Sequence, residues 1–484
     1  MLLQWPSMRE NQMHLDYANP DPNGPSAAIT LRRIPSVVPH ESDQYRGPKY
    51  TWVVGPEFEL VGFDPRGISR STPRSSFFDN RAEQNTFWSS AVTSMSANFS
   101  DDALPRMWVQ GMLLGRLAGD RDEGSLRFMN TDYTARDVSN RAGSWARDSR
   151  RYGATFAAMF PEKVGRLVID AVMDAEDYYA GESHYSMVSL GTDVSLGEFS
   201  NNLIDTDKVR SALLTLRRRT SRLQWTTCRK RPILVGIVDY SMIRKVIFMS
   251  FYRPFEGGEC DGAVKMFEKP RFKCSCEEDE FLFENVIDGG VAVQCNDGKR
   301  LSQEFDDFQM HYRNLRTRSS WADMWMHARQ GCMTWPEFPK TNFRGPFVAN
   351  TSFPLLLAGN TIDSVTPLWA ANKMSKGFAG SVVLTQDSIG HGSPAAPSLC
   401  TQKHIRRYFR EGVLPRDGTV CSTDEGPFDS SFLGGDEGDV VFDVDLGQED
   451  RILLEAVRRL AKEWVRCPPN LHYIRFSGER IFCC

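Results

Sequence analysis

An aspartate and a histidine, Asp363 and His391, each follow an apolar stretch and sit in a loop rich in small residues. An imidazole at the end of a buried strand can take a proton from a hydroxyl nucleophile, and a carboxylate beside it can fix which ring nitrogen carries the hydrogen. The elements needed to bring them together are legible on either side. Phe353 to Ala358 is an unbroken apolar run that stops at Gly359-Asn360, the pattern of a strand buried on both faces of a parallel sheet. Thr366-Pro367 then starts a helix, with Leu368, Ala371 and Met374 on one face and Gly377 at its end. Ser381 to Thr385 reads as a second strand, running into the loop from Gln386 to Gly392 that carries His391.

Strand, acid, crossover helix, strand and histidine is the order of the closing half of a Ser…Asp…His triad on an α/β-hydrolase sheet. Each residue alone has a plainer reading, Asp363 as a helix cap and His391 as a surface loop residue. Their joint placement at two successive strand ends favours the pair. The fold class that follows is α/β, with strands at 28–34, 58–63, 165–170, 353–358 and 381–385 in one largely parallel sheet flanked by helices.

From about His14 to Trp464, though not continuously, the chain resembles the tripeptidyl-aminopeptidase-like serine hydrolases, relatives of the proline iminopeptidases found in actinobacteria and fungi. The resemblance implies an α/β-hydrolase fold, a triad acid at Asp363, a triad base at His391, and a fungal source. The turn Phe58 to Pro73, FELVGFDPRGISRSTP, matches the family's D-x-R-G-x-G-x-S turn with Ser69 in place of the second Gly, and an Arg66-to-Asp64 pairing would brace it. Residues 129–138, the helix Gly153 to Pro161, the strand Val164 to Asp170 and the helix at 321–336 continue the match. Cys295, Cys332, Cys400 and Cys421 fall where the family carries Cys, which implies pairing 295–332 and 400–421; in a reducing compartment they would be four buried thiols.

Three departures concern the chemistry. Gly392 stands where family members often have Cys. The Gly-rich loop whose amides stabilise the oxyanion is absent, since Tyr45-Arg46-Gly47-Pro48 passes almost directly into Thr51-Trp52-Val53-Val54. The G-x-S-Y-G elbow is absent as well: residues 139–152 hold no G-x-S-x-G and no apolar strand. Counting without gaps puts Arg147 at the nucleophile position, and allowing three extra residues puts Ser144 there. Ser144 is the candidate nucleophile, with an exposed loop serine as the alternative. Two losses in one centre, with a shortened lid, fit a degenerate paralogue or a mis-spliced gene.

The expected organisation is a core half at 14–182, a lid at 183–300, a second core half with Asp363 and His391 at 301–464, and an irregular tail at 465–484. The basic run at 210–231 reads as a solvated helix face. With 484 residues, 41% apolar and a net charge of −4, the chain holds a sizeable core, and neither nucleic acid nor membrane is an expected partner. The N-terminus lacks a charged start followed by a long apolar core, whereas 11 Cys and sequons at Asn98 and Asn350 resemble secreted relatives, so compartment stays open. Cys274-Ser275-Cys276 is too tight for a zinc knuckle, and no metal or cofactor is expected. The expected partner is a small-molecule or short-peptide substrate, cleaved at a peptide or ester bond. A catalytically dead binding protein and an ester, lactone or thioester hydrolase of fungal secondary metabolism are the alternatives.

Overall fold

The computed structural model describes residues 8–34, 54–55, 57–58, 60–80, 82–84, 86–88, 96–98, 100–140, 147–148, 152–180, 248, 252, 285–326, 328, 330–339, 341–426 and 446–466. Ser144, the basic run at 210–231, Cys274-Ser275-Cys276 and residues 467–484 lie outside them. Eight strands are described: β1 Met8–His14, β2 Ser26–Ile34, β3 Leu60–Phe63, β4 Arg147–Asp148, β5 Val168–Asp170, β6 Leu356–Ile362, β7 Val382–Ile389 and β8 Val420–Ser422. The described helices are α1 Ala103–Asp120, α2 Thr131–Ser139, α3 Tyr152–Met159, α4 Ala175–Ala180, α5 Val286–Asp297, α6 Phe305–Arg316, α7 Ala322–Trp325, α8 Leu368–Ser375, α9 Leu399–Glu411 and α10 Gln448–Arg466.

Among the described residues the strands form two sheets, where the sequence reading expects a single one. β1-β2-β3 is antiparallel and β4-β5-β6-β7-β8 is parallel. β4 pairs through Arg147 and Asp148 with Val168 and Ile169 at one edge of the parallel sheet. β4 corrects a second expectation, because a strand does form in the charged stretch ahead of α3.

Within the parallel sheet, successive residues face opposite ways and each face has its own cover. Ile169, Leu357 and Val383 pack under α2, α3 and α8 with Ala135, Phe156, Ala157, Ala371 and Met374. Val168, Leu356 and Leu384 pack against α9 through Ile405, Tyr408 and Phe409, with Phe58 beside them. The result is helix on sheet on helix, and both faces are apolar, as the run at 353–358 predicts. The strand starts later than that run, at Leu356, and Phe353 is exposed.

A second layer packs around α1. Gly111 and Gly115 let α1 approach the turn at Gln330–Cys332 so closely that an added Cβ would lie 2.5 Å from the Gln330 carbonyl and 2.4 Å from the Thr334 hydroxyl. This contact breaks the helix expected over 321–336 into the four-residue α7 and a separate turn. Cys332 in that turn is bonded to Cys295 of α5, and Cys400 of α9 is bonded to Cys421 of β8. Each cross-link contributes about 2–4 kcal/mol by restricting the unfolded chain, and the four-thiol alternative is corrected. Among the described residues no helix is long and apolar enough to cross a membrane.

Asp288 of α5 is buried where it accepts long bonds from the Phe77 amide, at 3.3 Å, and Gln84 Nε2, at 3.5 Å, with the Trp88 indole also beside it. Burial pushes its carboxyl from 3.8 up to about 7. A carboxyl raised in the folded state stabilises the fold fully below its unfolded value, and that stability is lost as pH rises through about 7. The charged form costs up to about 4 kcal/mol. Asp288→Asn is therefore expected to melt near the wild-type temperature at pH 4 and well above it at pH 8, measured by calorimetry across that range.

Candidate active site

Asp363 follows β6 directly and His391 follows β7 by one residue, so both stand at the carboxyl edge of the parallel sheet, where such sheets gather their chemistry. The imidazole Nδ1 lies 2.9 Å from Asp363 Oδ1 and 3.0 Å from Oδ2. Both side chains are buried, at 2% and 0% exposure. The carboxylate also accepts from the Val365 and Thr366 amides at 2.8 Å, the Gly392 amide at 3.0 Å and the Thr366 hydroxyl at 2.9 Å. Burial pushes this carboxyl up, but the charge and hydrogen bond of His391, with the Thr366 and Val365 amides, outweigh it and hold the group below its ordinary value. The plainer reading of Asp363 as a helix cap is corrected, because α8 starts at Leu368 with Pro367 at its N-cap and no side-chain cap, while the amides Asp363 accepts from lie ahead of it. The surface-loop reading of His391 is corrected by its burial.

The loop that carries His391 is fixed from three strands. Asn360 Nδ2 donates to the carbonyls of Gly390 and Gly392, each at 2.8 Å. Gln386 Nε2 reaches the carbonyls of Ser393 and Ala396. Asp170, the last residue of β5, accepts from the Ser393 amide at 3.0 Å and the Ser393 hydroxyl at 2.5 Å. Gly392 has φ 76, and a Cβ there would stand 3.3 Å from that of Ala171, so glycine suits this backbone. From the segment expected to form the lid, the Tyr252 carbonyl accepts from the His391 amide at 2.9 Å, and the Tyr252 ring packs edge-on to the imidazole at 5.3 Å. Phe248, four residues earlier, packs against Trp321 and Trp325.

Asn360, Thr366, Gln386 and Asp170 were not singled out from the sequence as site residues. One signal was present: a buried strand end carrying Asn, followed closely by Asp and Thr, is polar where the apolar run should finish. Arg66 corrects another expectation. Its guanidinium pairs with Asp137 of α2, at 2.8 Å from Nε and 2.6 Å from Nη2, and it donates to the carbonyls of His14 and Leu15. The rings of Tyr17 and Tyr133 lie 5.2 Å from it. Asp64 instead accepts from the Arg70 amide. The turn is thus braced to a helix, where a fully buried guanidinium meets a buried carboxylate.

Among the described residues, Cys400, His404 and Cys421 could gather three ligand atoms around a metal ion, but both sulfurs are spent on the disulfide. Residues 318–421, which span Asp363 and His391, match the family described as TAP-like protein, an α/β-hydrolase family. The fold is an α/β-hydrolase fold. The chain is 22% identical over 408 residues to a tripeptidyl aminopeptidase of Streptomyces lividans, covering 76% of this chain and 71% of that one. It is 21% identical over 414 residues to the serine protease Hip1 of Mycobacterium tuberculosis (strain CDC 1551 / Oshkosh), covering 75% and 74%. These relatives are bacterial peptidases, and they support a hydrolase of the peptidase type.

The hydrogen bonds of Asn360 decide how firmly the His391 loop is held. Asn360→Ala leaves the buried Gly390 and Gly392 carbonyls short of a donor, at a cost of about 1–3 kcal/mol. The expected outcome is a lower urea midpoint with an unchanged m-value, measured by fluorescence.

Proposed function

We propose that the chain is built as a serine hydrolase of the tripeptidyl-aminopeptidase type, in which His391 is the general base, Asp363 fixes its tautomer, and a peptide or ester carbonyl is the target. The observation that carries this reading is the buried contact of Nδ1 with both Asp363 oxygens at the carboxyl edge of a parallel sheet. With Nδ1 holding the hydrogen against the carboxylate, Nε2 is left basic and can take a proton from a hydroxyl. The bacterial relatives' names supply the substrate class, a short peptide.

The position of the nucleophile separates this reading from a second one. In a parallel sheet the acid and base follow their strands, and a nucleophile must do the same to meet them. Ser144 precedes β4 in the chain, so it does not meet that requirement. With Ser144 as the candidate nucleophile, that supports the second reading, a binding protein which keeps the fold and the acid–base pair without turnover. Loss of one oxyanion donor costs on the order of 10²–10³ in turnover, and loss of the nucleophile leaves little above background.

The unmodified chain is accordingly expected to show no labelling by a fluorophosphonate probe. A chain with the family's Gly-rich loop and G-x-S-Y-G elbow restored is expected to be labelled, and to lose the label on His391→Ala. A restored, folded chain that stays unlabelled, or labelling indifferent to His391→Ala, would overturn the assignment of the base. Stoichiometric labelling of the unmodified chain at Ser144 would instead make that serine the nucleophile.

A further inference from the structure

We propose that Thr366 is a positioning residue for the acid–base pair: its hydroxyl is committed to the Asp363 carboxylate and thereby sets how strongly His391 holds a second proton. The proposal rests on the reading of His391 as a base, but it concerns a property of the imidazole that exists with or without a nucleophile.

Thr366 is buried, at 1% exposure, and grips both oxygens of one carboxylate. Its amide donates to Oδ1 at 2.8 Å and its hydroxyl to Oδ2 at 2.9 Å. The same hydroxyl oxygen stands 3.2 Å from His391 Nδ1. A hydroxyl has one hydrogen to give, and two acceptors compete for it only if Nδ1 is bare. A bare Nδ1 would turn its lone pair toward two carboxylate oxygens at 2.9 and 3.0 Å. That arrangement is repulsive, so Nδ1 carries its hydrogen and the Thr366 hydroxyl donates to Oδ2. β-Branching restricts χ1 and keeps the hydroxyl in that place.

Donors aimed at a carboxylate spread its negative charge and weaken its hold on a neighbouring cation. Asp363 has five, from Val365, Thr366 twice, Gly392 and His391. Removing the Thr366 hydroxyl concentrates charge on Oδ2, beside the imidazole, and favours the imidazolium. Other titratable groups near the pair have partners of their own: Asp170 binds Ser393, and Lys373 of α8 is paired with Asp174 and Glu176. Tyr252 packs edge-on against the ring. The grip of Thr366 therefore tempers the base.

The test is an NMR titration of the full chain labelled at histidine Cε1, with the His391 signal assigned by His391→Gln. Thr366→Val keeps the shape and removes the donor, and it is expected to raise the His391 pKa by about one unit, a tenfold gain in proton affinity. Thr366→Ser restores the hydroxyl and is expected to return the value to that of the wild type. An unchanged titration in Thr366→Val, or a Thr366→Ser variant that behaves like it, would overturn the proposal. Thr366→Ala serves as a second hydroxyl-free variant. If near-ultraviolet circular dichroism shows that neither hydroxyl-free chain folds while Thr366→Ser does, the residue is structural and the proposal fails. Failure of the restored chain to react with fluorophosphonate would overturn the hydrolytic reading and leave this titration standing.

Discussion

A carboxylate with no access to water can stay charged only if protein groups replace its solvent, and the arrangement around Asp363 follows from that demand. An unpaired buried charge costs several kcal/mol, enough to cancel much of a domain's net stability. Here the donors come from the stretch between β6 and α8 and from the loop after β7. The end of β6, the stretch that leads into α8 and the His391 loop are therefore fixed relative to one another by a single charge, and the imidazole inherits its orientation from them.

The same rule explains another buried charge. Arg66 has 0% exposure and meets Asp137 across elements far apart in sequence, with two aromatic rings packed against it. Its turn is held to α2, which leads toward β4. One buried anion with a histidine and one buried cation with an aspartate thus set two corners of the molecule. In both, truncating one partner strands the other, so neither is a site where a single substitution is mild.

The sequence was most readable where one physical effect dominated. The apolar run at 353–358 and the spacing of Leu368, Ala371 and Met374 announced β6 and α8, because burial alone decides them. Gly-flanked His391 announced a loop. What stayed hidden depended on partners distant in the chain. β7 runs on through Gln386, Asp387, Ser388 and Ile389, which read as loop, because β8 supplies a ladder for Thr385 to Asp387. Arg66 found Asp137 instead of Asp64 for a similar reason: local spacing cannot show which carboxylate is buried with it. Leu113 is exposed although apolar, since Gly111 and Gly115 turn the close-packed side of α1 elsewhere.

The described contacts also account for how an acid–base pair can be well formed in a chain without a recognisable elbow. Every hydrogen bond given above that orients Asp363 or His391 comes from β5, β6, β7, the loops that follow them, or Tyr252. β5 in turn pairs with β4, Arg147 with Val168 and Asp148 with Ile169, so the strand ahead of α3 is joined to the sheet that holds the pair. The geometry of Asp363 and His391 is enforced by the cost of a buried charge and not by the reaction it would serve.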